Sequence, residues 1–259
     1  MPTRCHIICF SPTGSTRKIA QTVASGVGLP SAVWDGTRPE SRAVAPTLLP
    51  GDAVFLASPV YFGRVQQHAA EIFAALRGKG QPTVLLVNYG NRHFDDALLE
   101  MHDLALQASL IPVAAAAFVS EHSYSTPDYP MAAGRPDGED LRKARAFGAA
   151  LKRKLEPRLQ PLSALPGNRP FKPYPDLHRA PETLDACTAC GVCADLCPTG
   201  AIHIEEEKAL TRDEYCIVCE ACVKGCPEQA RIDSRPGAGE LRERLAPLTA
   251  ERKEPECFL

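Results

Sequence analysis

No apolar run in this 259-residue sequence approaches the length of a membrane span, and its first residues enter strand-like sequence without a positive-then-apolar leader. Neither a spanning helix nor a secretory leader is expected. The ending Cys257-Phe258-Leu259 sets cysteine one residue too late for prenylation. A large excess of one charge is also missing: 29 Lys and Arg face 31 Asp and Glu, so nothing points to nucleic acid. The expected location is the cytoplasm. Charge is nonetheless uneven, with 16 basic against 13 acidic residues over 1–155 and 4 against 11 over 182–234. An acidic module following a mildly basic one could dock internally or steer partners, or could simply carry a solvated face.

Cysteine is plentiful, at 11, and clustered. Cys187-x-x-Cys190-x-x-Cys193-x-x-x-Cys197-Pro198 is followed by Cys216-x-x-Cys219-x-x-Cys222-x-x-x-Cys226-Pro227. A run of this spacing wraps three corners of a cubane cluster, and its fourth cysteine, before a proline, reaches the other cluster. By that rule Cys187, Cys190, Cys193 and Cys226 hold one [4Fe-4S] centre. Cys216, Cys219, Cys222 and Cys197 hold the second. A zinc site would take four ligands and leave the third cysteine and the Cys-Pro of each half unexplained. A disulfide framework suits a short secreted chain, not cysteines gathered in one part of a long one. The segment closely resembles bacterial-type two-cluster ferredoxins.

At the other end, Cys5 to Phe10 is a short apolar run of the kind buried on both faces of a parallel sheet. It stops at Ser11-Pro12-Thr13-Gly14-Ser15-Thr16, after which Ile19, Ala20, Val23 and Ala24 recur at helical spacing. A strand-to-helix junction rich in hydroxyls can cradle a phosphate through free backbone N–H groups and the helix dipole. Ser and Thr also cap helices without any ligand. The loop holds no Lys or Arg, so binding there would rely on neutral donors. It resembles the flavin mononucleotide (FMN) phosphate loop of flavodoxins.

Strand-like segments at Ser31–Gly36, Ala53–Ser58, Thr83–Asn88 and Ile111–Val119 alternate with helical ones at about 66–76, 94–108 and 139–154. This alternation predicts parallel βαβ units with right-handed crossovers. The expected class is α/β, a doubly wound parallel sheet of five strands in the flavodoxin-like order 2-1-3-4-5, followed by a small α+β module of bacterial-ferredoxin type. Expected boundaries are 1–155, a Pro-rich linker over 156–181, the cluster module over 182–234, and a helix and tail over 235–259. The linker carries Pro157, Pro161, Pro166, Pro170, Pro173, Pro175 and Pro181, which stiffen and extend a connection rather than build a core.

Ligands of such sheets sit at the carboxyl ends of the strands. Ser58-Pro59-Val60-Tyr61-Phe62-Gly63-Arg64 and Asn88-Tyr89-Gly90-Asn91-Arg92-His93-Phe94-Asp95-Asp96 should therefore join the first loop around one ligand. Tyr61 and Tyr89 are expected to flank a flat ring, with backbone N–H groups near Gly63, Asn91 and Arg92 at its polar edge. The plain alternatives are core or rim aromatics and helix N-terminal acids. Cys5, Cys9 and Cys257 are assigned to no metal. The long loop Ser120 to Gly138 either covers the ligand or meets the cluster module.

Together these motifs resemble flavodoxin-ferredoxin fusion proteins. The resemblance implies one FMN, two [4Fe-4S] clusters and electron transfer with redox partner proteins or a small electron acceptor. The alternative is a self-contained reductase of a small organic acceptor, with His93, Glu121 or His122 as proton donor. Flavodoxin loops are often acidic, whereas these hold Arg64, Arg92 and His93, cations expected to favour the anionic reduced flavin and raise its potential.

Overall fold

The computed structural model describes residues 1–155, 160–177 and 179–259. Pro157 of the predicted linker lies outside the described residues. The chain begins with β1 (Arg4–Cys9), α1 (Ser15–Val27) and β2 (Ser31–Asp35), then β3 (Asp52–Tyr61), a two-residue β4 (Arg64–Val65) and α2 (Gln67–Ala75). It continues through β5 (Pro82–Tyr89), α3 (Ala97–Gln107), β6 (Ile111–Val119) and α4 (Gly138–Lys154). The parallel strands run β2-β1-β3-β5-β6, which is the predicted order. β4 folds back on β3 as a short antiparallel hairpin.

Side-chain alternation along β1 divides the core. Cys5, Ile7 and Cys9 pack on one face with α1 and α4 residues such as Ile19, Val23, Phe147 and Leu151. Ile8 and Phe10 pack on the other with Phe73 and Leu98. Cys5 and Cys9 are thus core thiols, and burial pushes Cys5 up to about 11 and Cys9 further in the same direction. α4 starts at a capping box, with the Asp137 carboxylate accepting from Glu139 and Asp140 N–H at 2.9 Å each. Its last turn holds Lys152, Arg153 and Lys154, which suit the negative end of the dipole.

α1 and α4 meet through Gly26 and Gly148. A Cβ on Gly148 would stand 2.0 Å from the Val23 carbonyl oxygen and 3.0 Å from the Gly26 Cα. Backbone cannot yield as a flexible side chain does, so Gly148→Ala should destabilise the α/β unit by about 2 kcal/mol. Chemical denaturation followed by far-UV circular dichroism reads the difference.

After the linker come β7 (Glu182–Thr183), α5 (Val192–Leu196), β8 (Ile202–Glu205), β9 (Lys208–Thr211), α6 (Ala221–Lys224) and β10 (Arg231–Ile232). β8 and β9 form a hairpin, and β7 pairs with β10. The two halves repeat each other in backbone detail. Ala201 N–H donates to Cys197 Sγ and Ala230 N–H to Cys226 Sγ, each at 3.3 Å. Left-handed residues recur at matching places, Ala189 and Gly191 in one half, Val218 and Glu220 in the other.

Two features depart from the expectations. The described part of the linker is packed: Leu162 and Leu165 lie against the sheet core, Arg169 pairs with Asp103 on α3, and the Tyr174 hydroxyl donates to the Val65 carbonyl at 2.8 Å. The tail also returns. α7 (Ala238–Thr249) leads to β11 (Glu256–Phe258), which pairs antiparallel with β6 and adds an edge strand to the main sheet. No helix among the described residues is long and apolar enough to cross a membrane.

Candidate functional site

The carboxyl ends of β1, β3, β5 and β6 open into a cavity of about 600 Å³, within the range of cofactor sites. At one end lies the loop between β1 and α1, where Gly14 turns at φ 81° and Thr13, Ser15 and Thr16 line the wall. Thr16 Oγ1 is buried without a hydrogen-bond partner. A buried hydroxyl is rarely left so, and a phosphate oxygen at this spot would satisfy it. Ser11 lies behind the loop instead, its Oγ accepting from Arg17 N–H at 3.1 Å and its N–H donating to Thr37 Oγ1 at 2.7 Å.

Asn88 joins this loop to the end of β6. With its amide turned to suit its neighbours, it donates to the Phe118 carbonyl at 3.0 Å and accepts from Ser120 Oγ at 3.1 Å and Thr16 N–H at 3.3 Å. The β3 loop contributes Pro59, Val60, Tyr61 and Phe62, and the β5 loop contributes Gly90, Arg92 and Asp95. Burial, and next the neighbouring Cys219 thiol, pushes the Tyr61 phenol well above its ordinary range.

Several predicted contacts fall elsewhere. Tyr89 is 3% exposed and packs edge-on against Phe94 at 5.6 Å, because strand alternation turns it into the core rather than toward the cavity. Gly63 backs onto the Asp95 side chain. Asn91 turns away at φ 62°, and its amide donates to the Thr249 and Glu251 carbonyls at 2.7 Å each. His93 stacks on Phe94 at 5.1 Å and accepts the Asp95 N–H.

The expected cationic loops are also largely neutralised. Arg64 grips Glu100 at 2.7 and 2.6 Å beneath the aromatic rings of Phe171 and Tyr174, since the buried Glu100 needs a counter-ion. Arg92 pairs with Asp95, and Lys172 lies 3.6 Å from the same carboxylate. Burial pulls Asp95 upward, but Arg92, Lys172 and His93 hold it below the ordinary carboxylate range.

The loop beginning at Ser120 lines the cavity and also meets the cysteine-rich unit. Glu121, His122 and Tyr124 line the cavity, while Glu121 pairs with Lys224 and Tyr124 lies under Arg235 at 5.4 Å. Gly90 makes room for the His122 ring, which a Cβ there would meet at 2.4 Å. Burial first, then Lys224 and Arg92, lowers His122 to about 4. Its Nδ1 accepts the Tyr124 N–H at 3.1 Å, so the neutral ring carries its proton on Nε2.

The unfolded chain therefore takes up a proton near pH 6.5 that the folded ring refuses down to about pH 4. Stability should fall as pH drops through this window. From about pH 7 to about pH 5 the loss from this group is at most about 2 kcal/mol. Urea denaturation of wild type and His122→Gln at both pH values checks it, the variant showing the smaller loss.

Two further cavities are bounded by cysteines. One is lined by Cys187, Cys190, Cys193 and Cys226, the other by Cys197, Cys216, Cys219 and Cys222. Each set draws its fourth member from the opposite half of the repeat. Among the described residues no group of three or more His, Cys, Asp or Glu is gathered as a single metal ion requires. The four cysteines around each cavity offer the set of thiolates that a [4Fe-4S] cluster takes.

The second of these cavities shares a wall with the large one. Val218 and Cys219 line both the second cysteine cavity and the 600 Å³ cavity, whose remaining cover includes Leu241, Arg244, Leu245 and Leu248 of α7. Sequence reasoning missed this cover. Its only signal was the amphipathic pattern of the tail.

A family model described as a 4Fe-4S dicluster domain matches residues 181–238. Over 23 residues, 9% of the chain, the sequence is 65% identical to an uncharacterised ferredoxin of Methanocaldococcus jannaschii, and the match spans 37% of that curated relative's length. A flavodoxin from the domain Archaea aligns over 59% of this chain and 98% of its own, with 12% identity and a TM-score of 0.38. A flavodoxin of Streptococcus pneumonia TIGR4 aligns over 57% and 99%, with 17% identity and a TM-score of 0.41. The rubredoxin oxygen:oxidoreductase of Desulfovibrio gigas aligns over 60% and 36%, with 12% identity and a TM-score of 0.40. The flavodoxin-like class of the first unit stands on its strand order. The chain joins that unit to a ferredoxin-type iron-sulfur unit.

Proposed function

We propose that this chain is an electron-transfer flavoprotein in which [4Fe-4S] clusters exchange electrons with FMN inside one molecule. Cys187, Cys190, Cys193 and Cys226 would hold one cluster, and Cys216, Cys219, Cys222 and Cys197 the other. Thr13, Ser15 and Thr16 would hold the FMN phosphate, and the cavity beyond them the ring. When bound, clusters move single electrons and a flavin accepts one or two.

The observation that carries this reading is the shared wall. Cys219 lines both the second cysteine cavity and the large cavity, so no layer of protein separates a cluster ligand from the flavin space. Leu241, Leu245 and Leu248 cover that space with apolar surface. This apolar wall along one side of the cavity supports a carrier over a reductase of free organic substrates. The candidate acids fit the same view: Glu121 is engaged by Lys224, His122 stays neutral through the physiological range, and His93 stands outside. In this reading the chain works in a reducing cytoplasm, where its cysteines persist as thiolates, and it serves redox partners outside itself.

Flash reduction of the anaerobic holoprotein tests it. Flavin reduction should follow cluster reduction as a first-order step whose rate is independent of protein concentration. A rate proportional to protein concentration would overturn the intramolecular route. Absence of flavin or cluster signals after reconstitution would overturn the reading altogether.

A further inference from the structure

Arg231 lies on β10 at 2% exposure, in the middle of the cysteine-rich unit. A guanidinium keeps its charge under all ordinary conditions, and a buried charge without a counter-ion is strongly unfavourable. Its partners supply none. Nη1 donates to the Thr183 hydroxyl and, at 3.3 Å, to the Ala209 carbonyl. Nη2 donates to the Thr211 hydroxyl at 2.6 Å and faces Cys222 Sγ at 3.9 Å. Nε is buried with no partner. Neighbouring acids are engaged by other cations, Asp185 by Lys208, and Glu220 and Asp233 by Arg235.

The position explains what the charge faces. Arg231 lines the cavity bounded by Cys187, Cys190, Cys193 and Cys226, and through Nη2 it also reaches Cys222 of the other set. One fixed cation therefore stands against both groups of ligands.

We propose, on the cluster assignment given above, that Arg231 is the buried counter-ion of both clusters and raises the reduction potential of each. A cubane held by four thiolates is a net anion, and reduction by one electron adds a further negative charge without needing a proton. A nearby fixed cation stabilises the reduced form more than the oxidised one. Thr183 and Thr211 hold the planar fork in place, and water is excluded from around it, so little screening weakens the effect. Because the charge serves both sites, it moves their potentials together.

The test is an anaerobic potentiometric titration of the full holoprotein, followed by EPR, for wild type, Arg231→Gln and Arg231→Lys. Arg231→Gln should lower the reduction constant of both clusters at least tenfold, about 59 mV for a one-electron couple. Arg231→Lys, which retains the charge, should stay closer to wild type, and the flavin midpoint should not move with the clusters. An Arg231→Gln protein with full iron and sulfide but reduction constants changed by less than about twofold overturns the proposal. Should that variant fail to assemble, wild type grown with 15N-guanidino arginine decides. Pulsed EPR of its reduced clusters should show a coupled nitrogen that Arg231→Lys removes, and absence of that coupling overturns the proposal. Missing cluster signals in wild type would instead sink the parent assignment, so the two failures are distinguishable.

Discussion

Cys197→Ser should damage the same cluster as Cys219→Ser, and spare the one held by Cys197's nearest cysteine in sequence, Cys193. The Cys197 sulfur accepts the Ala201 N–H at 3.3 Å and lines a cavity with Cys216, Cys219 and Cys222. Cys193 lines the other, with Cys187, Cys190 and Cys226. Serine is a poorer ligand to iron than thiolate, so either variant should lose or convert one cluster and retain about half of the iron and sulfide. EPR of the reduced proteins supplies the comparison. Cys197→Ser and Cys219→Ser should leave the same residual spectrum, and Cys226→Ser should leave its complement.

The consequences for electron flow differ between the two sets. Cys219 alone among the cluster cysteines also lines the large cavity, whereas Cys190 is exposed at the surface. Losing the cluster of Cys197 and Cys219 should therefore slow flavin reduction by the remaining cluster by well over about tenfold, because the near partner is gone. Cys190→Ser should leave fast transfer from the near cluster intact. A residual spectrum for Cys219→Ser matching that of Cys226→Ser, with that of Cys197→Ser as their complement, would show uncrossed ligation and defeat the assignment.

The cysteine register was legible because ligand geometry imposes a short, rigid spacing on the chain. Strand order was legible for a similar reason. Buried parallel strands leave continuous apolar runs, and alternation with helices restricts their topology. Individual loop residues were harder to read. Tyr89 and Asn91 flank Gly90, yet only Gly90 lines the cavity, because strand alternation turns Tyr89 inward and a left-handed backbone turns Asn91 toward the tail. Arg64 looked like a flavin cation, but its partner Glu100 is 36 residues away on another element. Arg231 resembled any polar residue of a short strand, since only the packed unit reveals what surrounds it. The roles of α7 and β11 were hidden for the same reason: β11 pairs with a strand about 140 residues earlier.

Asn91 is the buried side chain with the most hydrogen bonds to that returning tail, and Asn91→Ala should loosen it. Asn91 is 2% exposed, donates to the carbonyls of Thr249 and Glu251, and accepts the Lys253 N–H at 3.1 Å. Its left-handed backbone is one that Asn tolerates better than Ala. Other contacts on this segment are weaker anchors. The Arg252–Asp137 and Lys143–Glu254 pairs are exposed and screened, whereas the Arg135 bond to the Lys253 carbonyl is a single contact at 3.0 Å. Removing the amide strands the buried Thr249 carbonyl at about 1–3 kcal/mol, unless the tail opens and water takes it. Opening is thus the cheaper response, and its population should rise by about tenfold or more for each 1.4 kcal/mol lost. Hydrogen exchange should quicken across α7 and β11 while the central strands β1 and β3 keep their protection. Since Leu241, Leu245 and Leu248 cover the large cavity, oxygen should also reoxidise the reduced flavin faster by a similar factor. Faster exchange without faster reoxidation would mean that α7 stays in place over the cavity when its C-terminal anchor is lost, and unchanged exchange would mean that Asn91 is not the latch.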